Sequence, residues 1–189
     1  LKCAQELSDA HVDVMGYACL VAIMSMGRGY HCVSEVNLHQ ETVANDFPTP
    51  IVTSAGALIN GLKVLGAKQI SIITPYMRPL TDMVVDYIEN KGIKVKQSIA
   101  LEISDNLEVA AQNPMNLLEI YKQLDLTDVD VLVASACVQM PSLEAIDLIQ
   151  AECGIPVTSA AVCTTYEMMK KLGIEAKSAI GGELLSGKY

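Results

Sequence analysis

At 189 residues and 51% hydrophobic content, the chain can bury a substantial core, as one compact body or as two small lobes. A net charge of -9 repels nucleic acid, and the basic residues Lys63, Lys68, Lys170 and Lys171 scatter over presumed helix faces instead of forming a stripe. Arg28, Lys63, Arg78 and Glu89 interrupt the apolar runs before any reaches the roughly 18 residues of a membrane span, so neither a nucleic-acid nor a membrane partner is expected.

Short β-branched runs alternate with longer amphipathic ones, the pattern of an α/β protein with parallel strands covered by helices. In chain order, Leu1 to Ala10 reads as the tail of a helix. Strands are expected over Val12 to Cys19, Pro50 to Ser54, Gln69 to Tyr76, Ile93 to Ala100, Val129 to Ala136 and Ile155 to Ser159, with a last one near Ser178 to Ile180. Gly92 marks the stop of a helix over Thr81 to Lys91, and Gly154 with Pro156 the stop of one over Ser142 to Cys153. Gly27 and Gly29 lack the third glycine of a phosphate fingerprint and Gly181-Gly182 opens no helix, so a nucleotide cofactor is disfavoured.

Six cysteines (Cys3, Cys19, Cys32, Cys137, Cys153, Cys163) form no CxxC pair and have no histidine at metal-ligand spacing, and no secretory signal precedes them. Reduced thiols in a cytoplasmic protein are expected. His11, His31 and His39 offer no helical pair for zinc and read as surface or helix-end residues.

An internal repeat carries the functional reading. Asp13-Val-Met-Gly-Tyr-Ala-Cys19 echoes Asp130-Val-Leu-Val-Ala-Ser-Ala-Cys137, and Val52-Thr-Ser-Ala55 is answered by Val157-Thr-Ser-Ala160. Both tetrapeptides lead into helices closing on Leu-Gly, at Leu65-Gly66 and Leu172-Gly173. Two pseudo-symmetric lobes are implied, over 1-67 and 68-173, with 174-189 as a closing segment that returns to the first lobe. Each lobe presents one strand-end thiol to a shared cleft. From Lys68, Cys137 arrives after 69 residues, whereas 18 precede Cys19. The symmetry therefore predicts that the first unit lacks about 50 residues at its front.

A cysteine at a strand end just ahead of a helix N-terminus has its thiolate favoured by the helix dipole and free amides. Cys137 fits, with Ser142 as N-cap and Leu143, Ile146 and Ile149 as the buried stripe. The stretch Leu20 to Gly29, with Met24, Met26 and two glycines, reads either as a flexible apolar flap or as an ordinary loop. Cys3, Cys32, Cys153 and Cys163 have no repeat counterpart and read as small buried hydrophobes.

Ser135-Ala-Cys137-Val-Gln-Met-Pro-Ser142-Leu with Pro156-Val-Thr-Ser159, Tyr-Ala-Cys19, Thr74-Pro75-Tyr76 and Ser104-Asp105-Asn106 resembles the maleate cis-trans isomerases of the Asp/Glu racemase superfamily, over essentially the whole chain. The resemblance implies cofactor-independent conversion of maleate to fumarate through a succinyl-cysteine adduct. Cys19 is then the nucleophile and Cys137 the proton donor. Tyr76, Asn106 and the backbone amides of Leu20, Val21 and Val138 bind the substrate carboxylates, with Arg28 and Arg78 as local contributors. It also implies a homodimer with a small dicarboxylate as partner, in the bacterial breakdown of pyridine compounds. Two alternatives stay open: an amino-acid or hydantoin racemase using the same thiols, and a ligand-binding lobe without catalysis. On the residues alone, Tyr76 reads as a buried tyrosine with a satisfied hydroxyl and Asn106 as an Asx-turn residue.

Overall fold

The structure, a computed structural model, describes residues 1-189. In chain order it runs α1 (Lys2–Ser8), β1 (Met15–Tyr17), α2 (Leu20–Met24), α3 (Tyr30–Ala44), β2 (Ile51–Thr53), α4 (Ser54–Val64), β3 (Gln69–Thr74), α5 (Arg78–Glu89), β4 (Lys94–Ala100) and α6 (Asn106–Ala110). There follow α7 (Leu117–Ile120), β5 (Val131–Ser135), α8 (Leu143–Cys153), β6 (Val157–Ser159) and α9 (Ala160–Lys171), with short 3-10 turns around α7 and near the C-terminus. All pairings within the two sheets are parallel: β1 with β2, and a four-stranded sheet in the order β4-β3-β5-β6. No helix is long and apolar enough to cross a membrane.

The α/β architecture is as the periodicity predicts. The central strand β5 is buried at every position, in keeping with the unbroken apolar run of a strand covered on both faces. β5 has a neighbour on each side, whereas its repeat counterpart β1 pairs with β2 alone. Both repeat units end as expected, with Leu65 and Leu172 closing their helices and Gly66 and Gly173 taking φ of +75° and +69°. The shared V-T-S-A letters are used differently, however. Thr53 caps α4 by accepting from the Gly56 amide, whereas Ser159, one position further on, caps α9 by accepting from the Val162 amide.

The two sheets are joined by α4 against α9, and a single apolar core runs through both. The helices approach closely at Gly61, where a β-carbon would stand 2.6 Å from Cys163 Sγ and 3.1 Å from Leu184 Cδ2. Only glycine fits there.

Four expectations are corrected. Ser178 to Ile180 is not a strand: the segment makes one isolated antiparallel bridge, Lys177 to Ser186, and then turns through Gly181 and Gly182 at positive φ. The Asp147 carboxylate accepts both glycine amides, at 3.1 and 2.8 Å, and holds the turn in place of a sheet. Leu20 to Gly29 is not a loose flap, because Leu20, Ile23 and Met24 of α2 are sealed in the core. Cys3 and Cys32 are exposed, on the solvent faces of α1 and α3, and are not core residues. His31 opens α3 as a helix-end residue but is buried, not on the surface; its Nδ1 bonds the Tyr87 hydroxyl.

Candidate active site

The strand ends β1 and β5 deliver Cys19 and Cys137 to one cavity of about 320 Å³. All seven sequence-derived residues line it: Cys19, Leu20, Val21, Tyr76, Asn106, Cys137 and Val138. Reasoning from sequence missed the rest of the wall, in which Met77, Leu80, Ile103 and Val109 are apolar and Ser104 and Gln139 are polar. No charged side chain lines the cavity. A larger cavity of about 510 Å³ lies beyond Val138, and neither Cys19 nor Cys137 lines it.

The two thiols are mounted differently. Cys19 is the extended N-cap residue of α2 and is exposed, and its side chain caps nothing. The amides of Leu20 and Val21 belong to the first helical turn, so neither has an acceptor inside the helix. The Leu20 side chain points into the core, so its amide is the part available to a ligand.

Cys137 is buried, at 7% exposure, in the bend that follows β5. Its expected position directly ahead of a helix N-terminus is not what the structure shows, because α8 begins at Leu143 and residues 136-142 form an irregular connection. Ser142 is the N-cap residue, yet its side chain accepts no capping hydrogen bond. The Cys137 backbone is held instead by Ser135, whose Oγ donates to the Cys137 carbonyl at 2.8 Å and accepts from the Cys137 amide at 3.3 Å.

Tyr76 follows the end of β3, and its hydroxyl donates to the Ala136 carbonyl at 3.1 Å. Burial, and then the neighbouring Cys137 and Cys19 sulfurs, raise its pKa far above the usual tyrosine value, so the phenol is a neutral donor at any working pH. Asn106 opens α6. The Asx turn there is made by Asp105, which accepts from the Leu107 amide at 2.7 Å, and Asn106 keeps its side chain free of internal hydrogen bonds. The Gln139 side chain donates to the Asn106 carbonyl at 2.8 Å and ties the α6 turn to the Cys137 loop.

Arg28 and Arg78 do not contribute. Arg28 forks onto Asp86, with Nε to Oδ2 at 2.9 Å, and Arg78 reaches Ser98 Oγ at 3.0 Å; neither lines the cavity. No cluster of three His, Cys, Asp or Glu side chains suited to a metal occurs in the chain.

A cavity with two differently mounted thiols, neutral donors and apolar walls can take a small anion, add sulfur to it and move a proton. The family model for arylmalonate decarboxylase matches residues 2–185. The maleate isomerase of Geobacillus stearothermophilus is 54% identical over 188 residues, all of this chain and 75% of that protein. The crystal structure of the maleate isomerase Iso from Pseudomonas putida S16 with maleate superposes with a TM-score of 0.98 at 58% identity, covering 100% of this chain and 75% of that one. A Nocardia farcinica maleate cis-trans isomerase mutant with a covalently bound succinylcysteine intermediate superposes with a TM-score of 0.95 at 38% identity, covering 100% and 77% of the two chains.

Proposed function

The chain belongs to the arylmalonate decarboxylase family, among its maleate isomerases, and from that membership we propose that it isomerises maleate to fumarate at the Cys19–Cys137 cavity. The observation that carries this reading is the meeting of both cysteines, Tyr76 and Asn106, far apart in sequence, on one small cavity.

The Cys19 thiolate adds to one olefinic carbon of maleate, and Cys137 gives its proton to the other. The C=C bond becomes a single bond in a succinyl-cysteine adduct. After rotation about that bond, Cys137 takes a proton back, the electron pair reforms the double bond, and the Cys19 sulfur leaves with the pair it brought. Two additions and eliminations replace the twisting of a π bond. Charge builds on the carboxylate next to the protonated carbon as sulfur adds, and fixed neutral donors in a site sheltered from water stabilise it. The first-turn amides of Leu20 and Val21, the Val138 amide, the Tyr76 hydroxyl and the Asn106 side chain are those donors. Neutral donors also leave a dianion free to depart, which a cluster of arginines would oppose.

The family resemblance further supports a cytoplasmic homodimer serving the breakdown of pyridine compounds. The catalytic reading is tested by incubating Cys137→Ser and Cys19→Ser proteins with maleate and measuring intact mass. An adduct of one maleate mapped to Cys19 in the first variant, and none in the second, is expected. An adduct that forms without Cys19 overturns the assignment, and a racemase would form none.

A further inference from the structure

We infer that Ser135 is the positioning residue for the Cys137 proton, an inference that rests on the isomerase reading of the site. The argument begins with an asymmetry in the repeat. The position two before the cysteine is Tyr17 in the first unit and Ser135 in the second. Tyr17 is 39% exposed and its hydroxyl bonds nothing, whereas Ser135 is fully buried. With one hydroxyl, Ser135 both donates to and accepts from the backbone of Cys137, at 2.8 and 3.3 Å, and so fixes the plane of each peptide flanking the thiol. The preceding peptide is anchored as well, since the Ala136 amide donates to the Ile73 carbonyl at 3.0 Å.

No helix supports this bend, so these side-chain bonds replace the helical hydrogen bonds that mount Cys19. The difference matches the work of the two sulfurs. A nucleophile carried through the cycle as a covalent adduct is located by its own bond to carbon. A proton donor has no such bond, and must meet one carbon twice, before and after rotation, at hydrogen-bond reach. Ser135 touches neither substrate nor the thiol itself, and acts through the Cys137 backbone.

The test compares Ser135→Ala with Ser71→Ala, a control that removes an equally buried serine hydroxyl of the same sheet, one with no partner. Maleate turnover is measured for both, together with the rates at which iodoacetamide labels Cys137, Cys19 and Cys163 in the folded protein, read by peptide mass. In Ser135→Ala, kcat falls roughly 10- to 100-fold with KM within about two-fold, as expected when a reacting group is displaced by about 1 Å. The ratio of Cys137 to Cys19 labelling changes several-fold, the buried Cys163 stays protected, and Ser71→Ala behaves as wild type. Ser135→Thr, which keeps the hydroxyl, recovers part of kcat. An unchanged kcat and labelling ratio overturns the inference. Labelling of Cys163 alongside Cys137 also overturns it, because Ser135 then acts through general stability. The labelling ratio needs no substrate, so a wild-type protein inert toward maleate but with a shifted ratio in Ser135→Ala keeps the positioning of Cys137 by Ser135 and refutes the isomerase reading.

Discussion

Replacing Tyr76 with phenylalanine removes one oxygen from the cavity wall and leaves the ring packed where it is. In the free protein that hydroxyl spends its only proton on the Ala136 carbonyl, at 3.1 Å. A neutral hydrogen bond of this kind contributes about 0.5–1.5 kcal/mol net, and one to a charged acceptor about 1.5–3 kcal/mol. Turning the proton from Ala136 to a substrate carboxylate therefore gains roughly 1–2 kcal/mol, which at about 1.4 kcal/mol per decade is about 5- to 30-fold in kcat/KM. The burial and sulfur neighbours that hold the phenol neutral make this contribution independent of pH across the range where the thiols work. Following the loss of maleate in initial-rate assays gives the number. The part that appears in kcat reports charge stabilisation in the transition state, and the part in KM reports ground-state binding. Loss of the Ala136 contact should also cost about 1 kcal/mol of stability. A Tyr76→Phe protein with kcat/KM within about two-fold of wild type refutes the donor role.

Gly61→Ala pushes a methyl group into Cys163 Sγ and Leu184, and the overpacking of about 1–3 kcal/mol outweighs the helix-propensity gain of up to about 1 kcal/mol. Its melting temperature should fall by several degrees and recover when Cys163→Ala is added; a protein as stable as wild type contradicts the close approach of α4 and α9. Glu167 has its pKa raised by burial and, among its charged neighbours, by Glu35, with Lys171 and Lys170 opposing. A carboxyl with a raised folded-state pKa binds more protons folded than unfolded, so its contribution to stability is lost as pH rises from its ordinary 4.5 through the folded value. Glu167→Gln should therefore melt higher than wild type at pH 7, with the gain gone below about pH 4; the opposite ranking in thermal scans would show that the Lys171 attraction dominates. Burial pushes the Cys163 thiol up to about 12, and Cys3 and Cys32 are exposed. Iodoacetamide at neutral pH should label Cys3 and Cys32 readily and leave Cys163 untouched until the protein unfolds.

Much of this site was legible because it sits where periodicity changes. Cys137 follows a run spaced by Val129, Val131 and Val133, and a run that stops marks a strand end, where α/β sheets place their chemistry. The repeat then made Cys19 and Cys137 a pair, and the resemblance supplied Tyr76 and Asn106, which their residue types alone left as a buried tyrosine and a turn residue. What escaped notice depends on contacts between distant segments. Val12 to Cys19 shortens to Met15–Tyr17 because β1 has only three residues of β2 to pair with. The residues near Ser178 could not reveal that Asp147, more than thirty residues earlier, accepts the amides of Gly181 and Gly182 and holds the chain in a turn there. A helix start at Ser142 was readable, but the five-residue stretch separating Cys137 from α8 was not, since the local Ser135 hydroxyl and the distant Tyr76 hold the bend through side-chain hydrogen bonds. Likewise, the unbroken apolar run from Leu20 to Met24 after Cys19 suits a flap as well as a helix until the core that swallows Leu20 and Met24 is seen.

The central claim is that two reduced thiols in one uncharged cavity isomerise an olefinic dicarboxylate. Proton NMR of maleate in D2O with the reduced protein, before and after alkylation of its thiols, tests it most directly. The account predicts that the fumarate vinyl signal grows in the reduced sample, stops on alkylation, and is absent with Cys19→Ala. Fumarate formed at an undiminished rate by the alkylated protein or by Cys19→Ala would contradict it.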